Sequence, residues 1–323
     1  MITRTPGVHR ITTTTVQPTE TLRAMITTCG AADASELGHI AGQETIILRA
    51  AVGKAGESKV LIDYTDTDET IRMRREMATI NDYLAASELR VDGHPMLPVQ
   101  LSRRFQIPDL RSPHTFDQHG RLFGTLHGPG AFWINMKNTE RHRITLNGEE
   151  LVDVDFSAML TNLAYCLAGA PLPTGDPYDG IEGLDLSADP SGNRRDAIKR
   201  GLNALYFRTG RMMRLPVEVK ELLGADWTAA RFIDAVERRH PRIAHLFGTP
   251  GLGLRLLATE SEIMVRFMLS MNSRGVGVLC VHDGALIPSS KQTLALQGMA
   301  RASRLVVGRA LPAKVTPLPR PSA

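Results

Sequence analysis

A histidine and an aspartate stand where two apolar stretches of the chain meet. The run 276–280 leads into Val281-His282-Asp283-Gly284, and a second apolar run follows at 285–288. This pattern predicts a strand, a tight turn and a strand. Burying an aspartate between two core strands costs several kcal/mol unless a cation or a hydrogen-bond donor meets it. Any fold for this chain must therefore bring a partner to Asp283.

A second aspartate stands at a predicted junction between a strand and a helix. Apolar residues at 151, 152 and 154 lead to Asp155, and a helical pattern follows at Met159, Leu160, Leu163, Ala164 and Leu167. Asp155 and Asp283 converge if their strands are neighbours in one sheet. Converging carboxylates are best held ionised by a divalent cation, and hard oxygen ligands suit Mg²⁺, which also takes substrate phosphates. Such a pair is typical of two-metal phosphoryl transfer.

A predicted helix over 193–207 carries positive charge on one face. Arg195 and Lys199 are one helical turn apart, so they share that face, and Asn203 and Phe207 continue it. The apolar positions on the other side are Ile198, Leu202, Leu205 and Tyr206. An arginine and a lysine followed by a polar group and an aromatic ring suit a nucleoside triphosphate with its base stacked beyond the phosphates.

Together, these three segments resemble the polymerase motifs of the family A DNA polymerases, whose palm and fingers are shared with single-subunit phage RNA polymerases. The segment 155–157 is similar to the first motif, an aspartate followed by an aromatic residue and a serine. Arg195 with Lys199 is similar to the second motif, and His282 with Asp283 to the third. The order of the motifs along the chain is also that of the family.

Two shorter segments extend the resemblance, which covers roughly residues 100–295. Residues 120–122 resemble the glycine-arginine-leucine stretch that precedes the first motif and touches nucleic acid. Residues 256–264 resemble the helix before the third motif. The resemblance implies an α+β fold, the polymerase right hand, with an antiparallel palm sheet, helical fingers and a small thumb-like N-terminal region.

The resemblance also implies roles for individual residues. Asp155, Asp283 and the backbone carbonyl of Phe156 would hold two Mg²⁺ ions, with Mn²⁺ as the alternative. Arg195 and Lys199 would bind the triphosphate and stabilise its charge during the reaction. The remaining expected contacts to the nucleotide are Asn203, Phe207 and Leu160, and those to nucleic acid are Arg121 and His282.

This chain departs from the family pattern at three places. Gly284 stands where a glutamate usually follows the aspartate of the third motif. Asn203 and Phe207 stand where an aromatic residue and a tyrosine are usual, and Leu160 replaces a glutamate that blocks a ribose 2′-hydroxyl. The choice between deoxyribose and ribose therefore stays open.

Size and composition bound the remaining possibilities. The 323 residues leave no room for a complete exonuclease domain beside a palm. The sequence contains no stretch of about 18 apolar residues, so no membrane-spanning helix is expected. A cytoplasmic location is expected. We expect a thumb-like region over residues 1–99, a palm and fingers over 100–309, and a proline-rich disordered tail over 310–323.

A mildly basic charge, +4 at neutral pH, suits a nucleic-acid partner without proving one. Arg141 and Arg143 alternate on a strand-like run, so they would point to one side; a role in facing nucleic acid competes there with an ordinary solvated surface.

The function predicted is a template-directed nucleic-acid polymerase, with DNA-directed DNA synthesis first. Its partners would be primed DNA or RNA templates and nucleoside triphosphates, with no membrane partner. Three alternatives remain: a primer- or RNA-synthesising polymerase of a mobile element or phage, an inactive polymerase-like protein that binds nucleic acid, and a metal-dependent nuclease or phosphohydrolase.

Overall fold

The computed structural model describes residues 2–5, 15–18, 44–52, 58–96, 99–126 and 133–320. Most of the first 43 residues of the expected thumb-like region, and residues 321–323 of the expected tail, lie outside these ranges. The described strands are β1 (Ile2–Thr5), β2 (Thr15–Pro18), β3 (Ile46–Val52), β4 (Ser58–Ile62), β5 (Leu89–Val91), β6 (His94–Pro95), β7 (Val99–Ile107), β8 (His119–Leu126), β9 (Ile144–Leu146), β10 (Glu149–Phe156), β11 (Leu279–Val281), β12 (Gly284–Pro288) and β13 (Ala313–Pro317). The described α-helices are α1 (Asp68–Ala85), α2 (Met159–Leu167), α3 (Asn193–Phe207), α4 (Val217–Leu223), α5 (Ala229–Arg239), α6 (Leu252–Asn272) and α7 (Gln292–Val307).

One antiparallel sheet contains both predicted aspartate segments. Its strands run in the order β11-β12-β10-β9-β5-β6, and β13 also pairs with β10. The predicted hairpin is confirmed, because β11 and β12 pair on either side of the turn at 282–283. The predicted junction is also confirmed, since β10 ends at Phe156 and α2 begins at Met159. The two aspartate segments are therefore neighbours in one sheet.

A second sheet has the order β4-β3-β7-β8, in which β3 and β7 are parallel and the other pairs antiparallel. Alternation along its strands sends Ile46, Leu48, Leu101 and Phe105 to one face, where all four are buried in the core. A register shift lies between Arg104 and Phe105, in β7. The core-facing side of this sheet meets α1 and α6.

The expected boundary at residue 99 falls on the first residue of β7. Two strands that precede the boundary, β3 and β5, pair with two that follow it, β7 and β9 respectively. The side chain of Asn81 in α1 also exchanges two hydrogen bonds with the backbone of Leu101, at 2.8 and 3.0 Å. The described residues on either side of the boundary thus share two sheets.

The basic side of α1 is largely engaged within the protein. Arg72 pairs with Glu76 at 2.7 Å, and Arg74 pairs with Glu44 at 3.0 Å. Glu76 also accepts a charged hydrogen bond from Arg266 of α6 at 2.8 Å. These contacts tie α1 to its neighbours, so the thumb-like role for this helix stays a prediction.

The predicted helix over 193–207 is confirmed as α3 with the same bounds. Its apolar stripe is buried, and it approaches α5 closely: a Cβ atom at Gly201 would lie 2.2 Å from the ring of Phe232. Glycine is needed at this crossing because any side chain would push the two helices apart. The close packing leaves the charged face of α3 directed away from the core.

The C-terminal tail is the clearest correction to the sequence-based expectations. We expected residues 310–323 to be disordered. Residues 313–317 instead form β13 and pair with residues 152–156 of β10. Leu311 and Leu318 are buried on either side of the strand. Prolines tolerate the edge of a sheet, and the two leucines fasten this segment to the core.

Candidate active site

The turn between β11 and β12 places His282 and Asp283 beside β10. The backbone N–H of Phe156 donates to the carbonyl of Asp283 at 3.3 Å. His282 has a φ of 56°, in the left-handed region that disfavours residues other than glycine. Such local strain persists only when the surroundings impose it, and it concentrates at functional sites.

Asp155 lies between two strands that come from distant parts of the chain. In the sheet it stands opposite Gly284 of β12 on one side and opposite Lys314 of β13 on the other. Directly paired residues have neighbouring side chains on one face of the sheet. The structure thus brings Asp155 next to the Asp283 turn, and it adds a lysine that sequence reasoning missed because the proline-rich tail masked a short strand.

Gly284 is packed too closely against Asp155 for any side chain to fit without movement. A Cβ atom there would lie 2.9 Å from Oδ1 of Asp155 and 2.8 Å from the carbonyl oxygen of Val154. Both distances are shorter than carbon atoms accept without displacing a neighbour. A glycine at position 284 therefore leaves the space that the Asp155 carboxylate occupies.

Burial and neighbouring negative charge disfavour the ionised forms of Asp153 and Asp155 in β10. Burial, followed by the charges of Asp283 and Asp153, raises the pKa of Asp155 to about 7. Burial is also the main cause of the raised pKa of Asp153. The charges of Lys314 and Lys199 act in the opposite sense on Asp155 but do not offset these effects. A cation between the carboxylates would relieve this repulsion.

Helix α3 supplies the positive side of the site. Lys199 is exposed and forms no ion pair or hydrogen bond with the described residues, and its charge reaches Asp155. Arg195 donates from Nε to Oδ2 of Asp176 at 2.6 Å and lies 4.8 Å above the ring of Tyr178. Both cations predicted on α3 therefore face the aspartates, but only Lys199 lacks a partner among the residues that the structure describes.

Arg121 is held by a buried glutamate that sequence reasoning did not single out. Nε of Arg121 donates to Oε1 of Glu260 at 2.7 Å, and Nη2 donates to Oε2 at 3.1 Å. Glu260 is 1% exposed, and burial raises its pKa to about 7 against the opposing effect of Arg121. Glu260 is part of the helical segment 256–264, but nothing local in the sequence indicated which arginine it would meet.

One cleft of about 260 Å³ collects these groups, and we call it the Asp155 cleft. Its lining residues are Arg121, Asp155, Phe156, Ser157, Ala158, Met159, Leu160, Tyr178, Arg195, Lys199, Asn203, Glu260, His282, Asp283 and Lys314. Nine of the twelve residues predicted for the site are among them: Arg121, Asp155, Phe156, Leu160, Arg195, Lys199, Asn203, His282 and Asp283.

The other three predicted residues, Phe207, Arg141 and Arg143, do not line the cleft. Phe207 ends α3 with 47% of its surface exposed, and its ring packs against Gly253. The neighbouring Tyr206 cannot stack on a base either, because it is fully buried and donates to Thr161 at 3.1 Å. The aromatic ring expected beyond the phosphates is therefore not part of the cleft.

Arg141 and Arg143 are not on a strand, which corrects the sequence-based expectation. They end a 3-10 helix, Asn138–Arg143, and strand pairing begins only at Ile144, whose side chain enters the core. Arg143 forms an ion pair with Asp92 on the surface. The two arginines therefore do not form the one-sided basic row that alternation would give.

The donor set at the cleft fits Mg²⁺ better than a metal enclosed by protein. Among the described residues, no group of three or more histidine, cysteine, aspartate or glutamate side chains is arranged to hold a metal. Asp155 and Asp283 instead offer two carboxylates, and nearby positive charge does not offset the burial of Asp155. Mg²⁺ commonly binds through one or two carboxylates together with waters and substrate phosphates.

Comparison with known proteins finds distant likenesses among solved structures. No family model matches the chain, and no curated protein matches it. Among solved structures, the POL domain of Pol1 from M. smegmatis, in a complex with DNA primer-template and dNTP, is similar over 76% of this chain with 12% sequence identity and a TM-score of 0.41. The match covers 50% of that chain, so this protein spans about half of its length.

None of the helices within the described residues is both long enough and apolar enough to cross a bilayer.

Proposed function

We propose that this chain is a template-directed nucleic-acid polymerase, with DNA-directed DNA synthesis as its first activity. The observation that carries the proposal is the Asp155 cleft itself. Asp155 of β10 and Asp283 of the adjoining turn line one cavity together with the lysine and arginine of α3. The four residues come from three segments that resemble polymerase motifs, in the order of the family. Carboxylates opposite cations are what transfer of a nucleotidyl group requires.

Asp155 and Asp283, with the backbone carbonyl of Phe156, would hold the metal ions. When bound, such ions lower the pKa of an attacking 3′-hydroxyl and neutralise a leaving pyrophosphate. The protein's own part is to fix the carboxylates. Gly284, which has no side chain, leaves room for the Asp155 carboxylate, and the backbone bond from Phe156 ties the Asp283 turn to β10.

The cations of α3 would bind the triphosphate and stabilise charge that grows in the transition state. Lys199 is ready to do so, since no described residue pairs with it. Arg195 would exchange Asp176 for a phosphate oxygen. The Arg195–Asp176 pair is exposed, so breaking it costs at most about 1 kcal/mol, and the ring of Tyr178 keeps the guanidinium near the cleft.

Three further residues would position the other reactants. His282, held at the tip of the turn, would touch the primer end, and Arg121, held by Glu260, would contact the nucleic-acid backbone. Leu160 lines the cleft at the position where the family selects the sugar. A leucine offers no hydrogen bond to a ribose hydroxyl, so sugar choice would rest on its bulk.

An extension assay tests the proposal. It would use primed and unprimed templates with Mg²⁺ and either deoxyribonucleotides or ribonucleotides. We expect incorporation of deoxyribonucleotides on primed DNA, and a loss of about three decades in rate with Asp155→Asn or Asp283→Asn. Asp234→Asn, on the exposed side of α5, is the matched control and should retain the wild-type rate. Full incorporation by either cleft variant would contradict the mechanism.

The same assay separates the alternatives. Incorporation of ribonucleotides, or synthesis on unprimed template, would identify a primer- or RNA-synthesising enzyme. Release of nucleotides without added triphosphates would identify a nuclease or phosphohydrolase. Binding of primed template with no incorporation, and with affinity unchanged by Asp283→Ala, would identify an inactive binding protein.

A further inference from the structure

The second sheet has a face turned away from the core, which we call the outer face. Direct pairing and strand alternation place Arg49 of β3, Lys59 of β4, Arg104 of β7 and Arg121 of β8 on it. Arg49 stands between Leu61 and Gln106, and Arg104 between Ile47 and Arg121. Every strand of the sheet thus contributes a cation to the same side.

Most of these cations have no negative partner among the residues that the structure describes. Arg121 pairs with Glu260, but Arg49, Lys59 and Arg104 form no ion pair with any described residue. Burial lowers the pKa of Arg49, Lys59 and Arg104, and the charge of Arg49 adds to the lowering for Lys59 and Arg104. Like charges gathered without acids are a cost to the folded chain that an anionic ligand would remove.

Hydrogen-bonding atoms on the outer face are also left unsatisfied. Nε of Arg49, Nε of Arg104, Oε1 of Gln100 and Oε1 of Gln106 are buried and have no partner among the described residues. Gln100, Arg104 and Gln106 occupy alternate positions of β7, so they share the outer face with Arg49. Buried polar groups of native proteins are normally satisfied, so four exceptions on one face are a local cost that the described residues do not offset.

The aromatic ring on this face is already covered. Arg104 lies 4.5 Å above the ring of Phe123, and His119 stacks on that ring at 5.7 Å with an interplanar angle of 12°. Burial lowers the pKa of His119 to about 4, so its imidazole is neutral at physiological pH. Unpaired bases bind through open aromatic rings. This face offers cations and amides instead, which suit phosphates of a strand whose bases are paired.

The outer face leads directly into the Asp155 cleft. Arg104 is paired in register with Arg121, and Arg121 lines the cleft. The alternation of β4 continues to Asp63, which is not in an ion pair with any of these cations. A row of positive groups thus runs from the cleft across β8, β7, β3 and β4.

We propose that the outer face binds the phosphate backbone of the double-stranded part of a primed template and guides it to the Asp155 cleft. The proposal rests on the proposed function for the choice of a duplex as ligand. Arg49, Lys59 and Arg104 supply the charge, while Gln100 and Gln106 contribute hydrogen bonds to phosphate or sugar oxygens. No base is contacted, so binding is independent of sequence.

The test compares a triple variant, Arg49→Gln, Lys59→Gln and Arg104→Gln, with a matched triple elsewhere, Lys220→Gln, Arg301→Gln and Arg304→Gln. Fluorescence anisotropy measures the dissociation constant for a primed duplex over a range of salt concentrations. We expect the outer-face triple to bind about tenfold or more weakly. The slope of log affinity against log salt should become shallower by about 0.9 for each phosphate that the variant no longer neutralises. Circular dichroism and the melting temperature check its fold, and Lys59→Gln alone, at an exposed position, should show a partial effect.

Incorporation at saturating duplex separates the two proposals. If the wild type incorporates nucleotides and both triples bind the duplex equally, the outer-face proposal is overturned while the polymerase proposal stands. If no variant incorporates but only the outer-face triple loses duplex affinity, the polymerase proposal fails and the surface remains. The last measurement is binding to anionic vesicles. If the outer-face triple no longer binds vesicles but binds the duplex as the wild type does, the face binds a membrane and the proposal is overturned.

Discussion

Replacing Gly284 with alanine is the sharpest perturbation that this structure suggests. A methyl group at this position would meet Oδ1 of Asp155 at 2.9 Å and the carbonyl oxygen of Val154 at 2.8 Å, where ordinary contacts begin at 3.4 Å. About half an ångström must be gained on both contacts. The backbone of Gly284 is not in the left-handed region, so alanine is allowed there and the effect is steric alone.

The expected magnitude follows from which neighbour yields. The carbonyl of Val154 belongs to the paired backbone of β10, so relief comes from movement of the Asp155 carboxylate or separation of β10 from β12. Overpacking of this kind costs about 1–3 kcal/mol of stability. A reacting group misplaced by about 1 Å loses about 10²-fold in rate, so a shift of half that size predicts a 10- to 100-fold loss in kcat for nucleotide incorporation.

Single-turnover incorporation and thermal melting measure the two effects separately. Gly298→Ala is the matched control, because its Cβ atom would also be crowded, at 3.1 Å from the ring of Phe267, but in α7 rather than in the cleft. Because alanine is the better helix former, its propensity opposes the crowding at this position, and the control should leave kcat unchanged. Wild-type incorporation by the Gly284→Ala variant would refute the reasoning, since the carboxylate position would then be irrelevant to the rate.

Three further predictions concern two other residues of the cleft and the partner of a third. His282→Gly should raise the melting temperature by relieving a left-handed φ, worth about 1 kcal/mol, and should lower the rate of incorporation. Its control is Asn147→Gly, at a φ of 51° in the β9–β10 turn, which should leave the rate unchanged. Equal rates for both variants would contradict a role for the imidazole. Burial raises the pKa of Glu260 from 4.5 to about 7. The free energy of unfolding of the wild type, compared with that of Glu260→Gln, should therefore fall as the pH rises between those two values. A rise in this difference would mean that the charge of Arg121 outweighs burial. Asp176→Asn should release Arg195 and lower KM for the nucleotide by about two- to fivefold with kcat unchanged; a higher KM in steady-state kinetics would show that Asp176 instead positions the arginine.

Much of the site was predictable because its motifs are local. The hairpin that carries Asp283 follows from two apolar runs around a short polar turn. The basic face of α3 follows from the helical period, and the bounds of that helix agree with the prediction. These features depend on interactions between residues close in sequence, where side-chain period and turn chemistry act directly.

The sequence failed where a residue's role depends on a distant partner. Prolines in the tail suggested disorder, yet buried leucines on either side of β13 hold Lys314 opposite Asp155. Arg141 and Arg143 showed strand-like alternation, yet pairing begins only after them. Periodicity cannot report which strand will accept a segment, since that choice depends on the packing of the whole sheet.

By itself, the sequence determined that two aspartates would end core strands and that an arginine and a lysine would share a helix face. Only the tertiary structure decided that the aspartates are neighbours, that Gly284 leaves room for one carboxylate, and that Glu260 holds Arg121. It alone also gathered Arg49, Lys59 and Arg104 on one face from three separate strands. The physical reason is that local patterns set which side of an element is apolar, whereas strand register and helix docking set which charges meet.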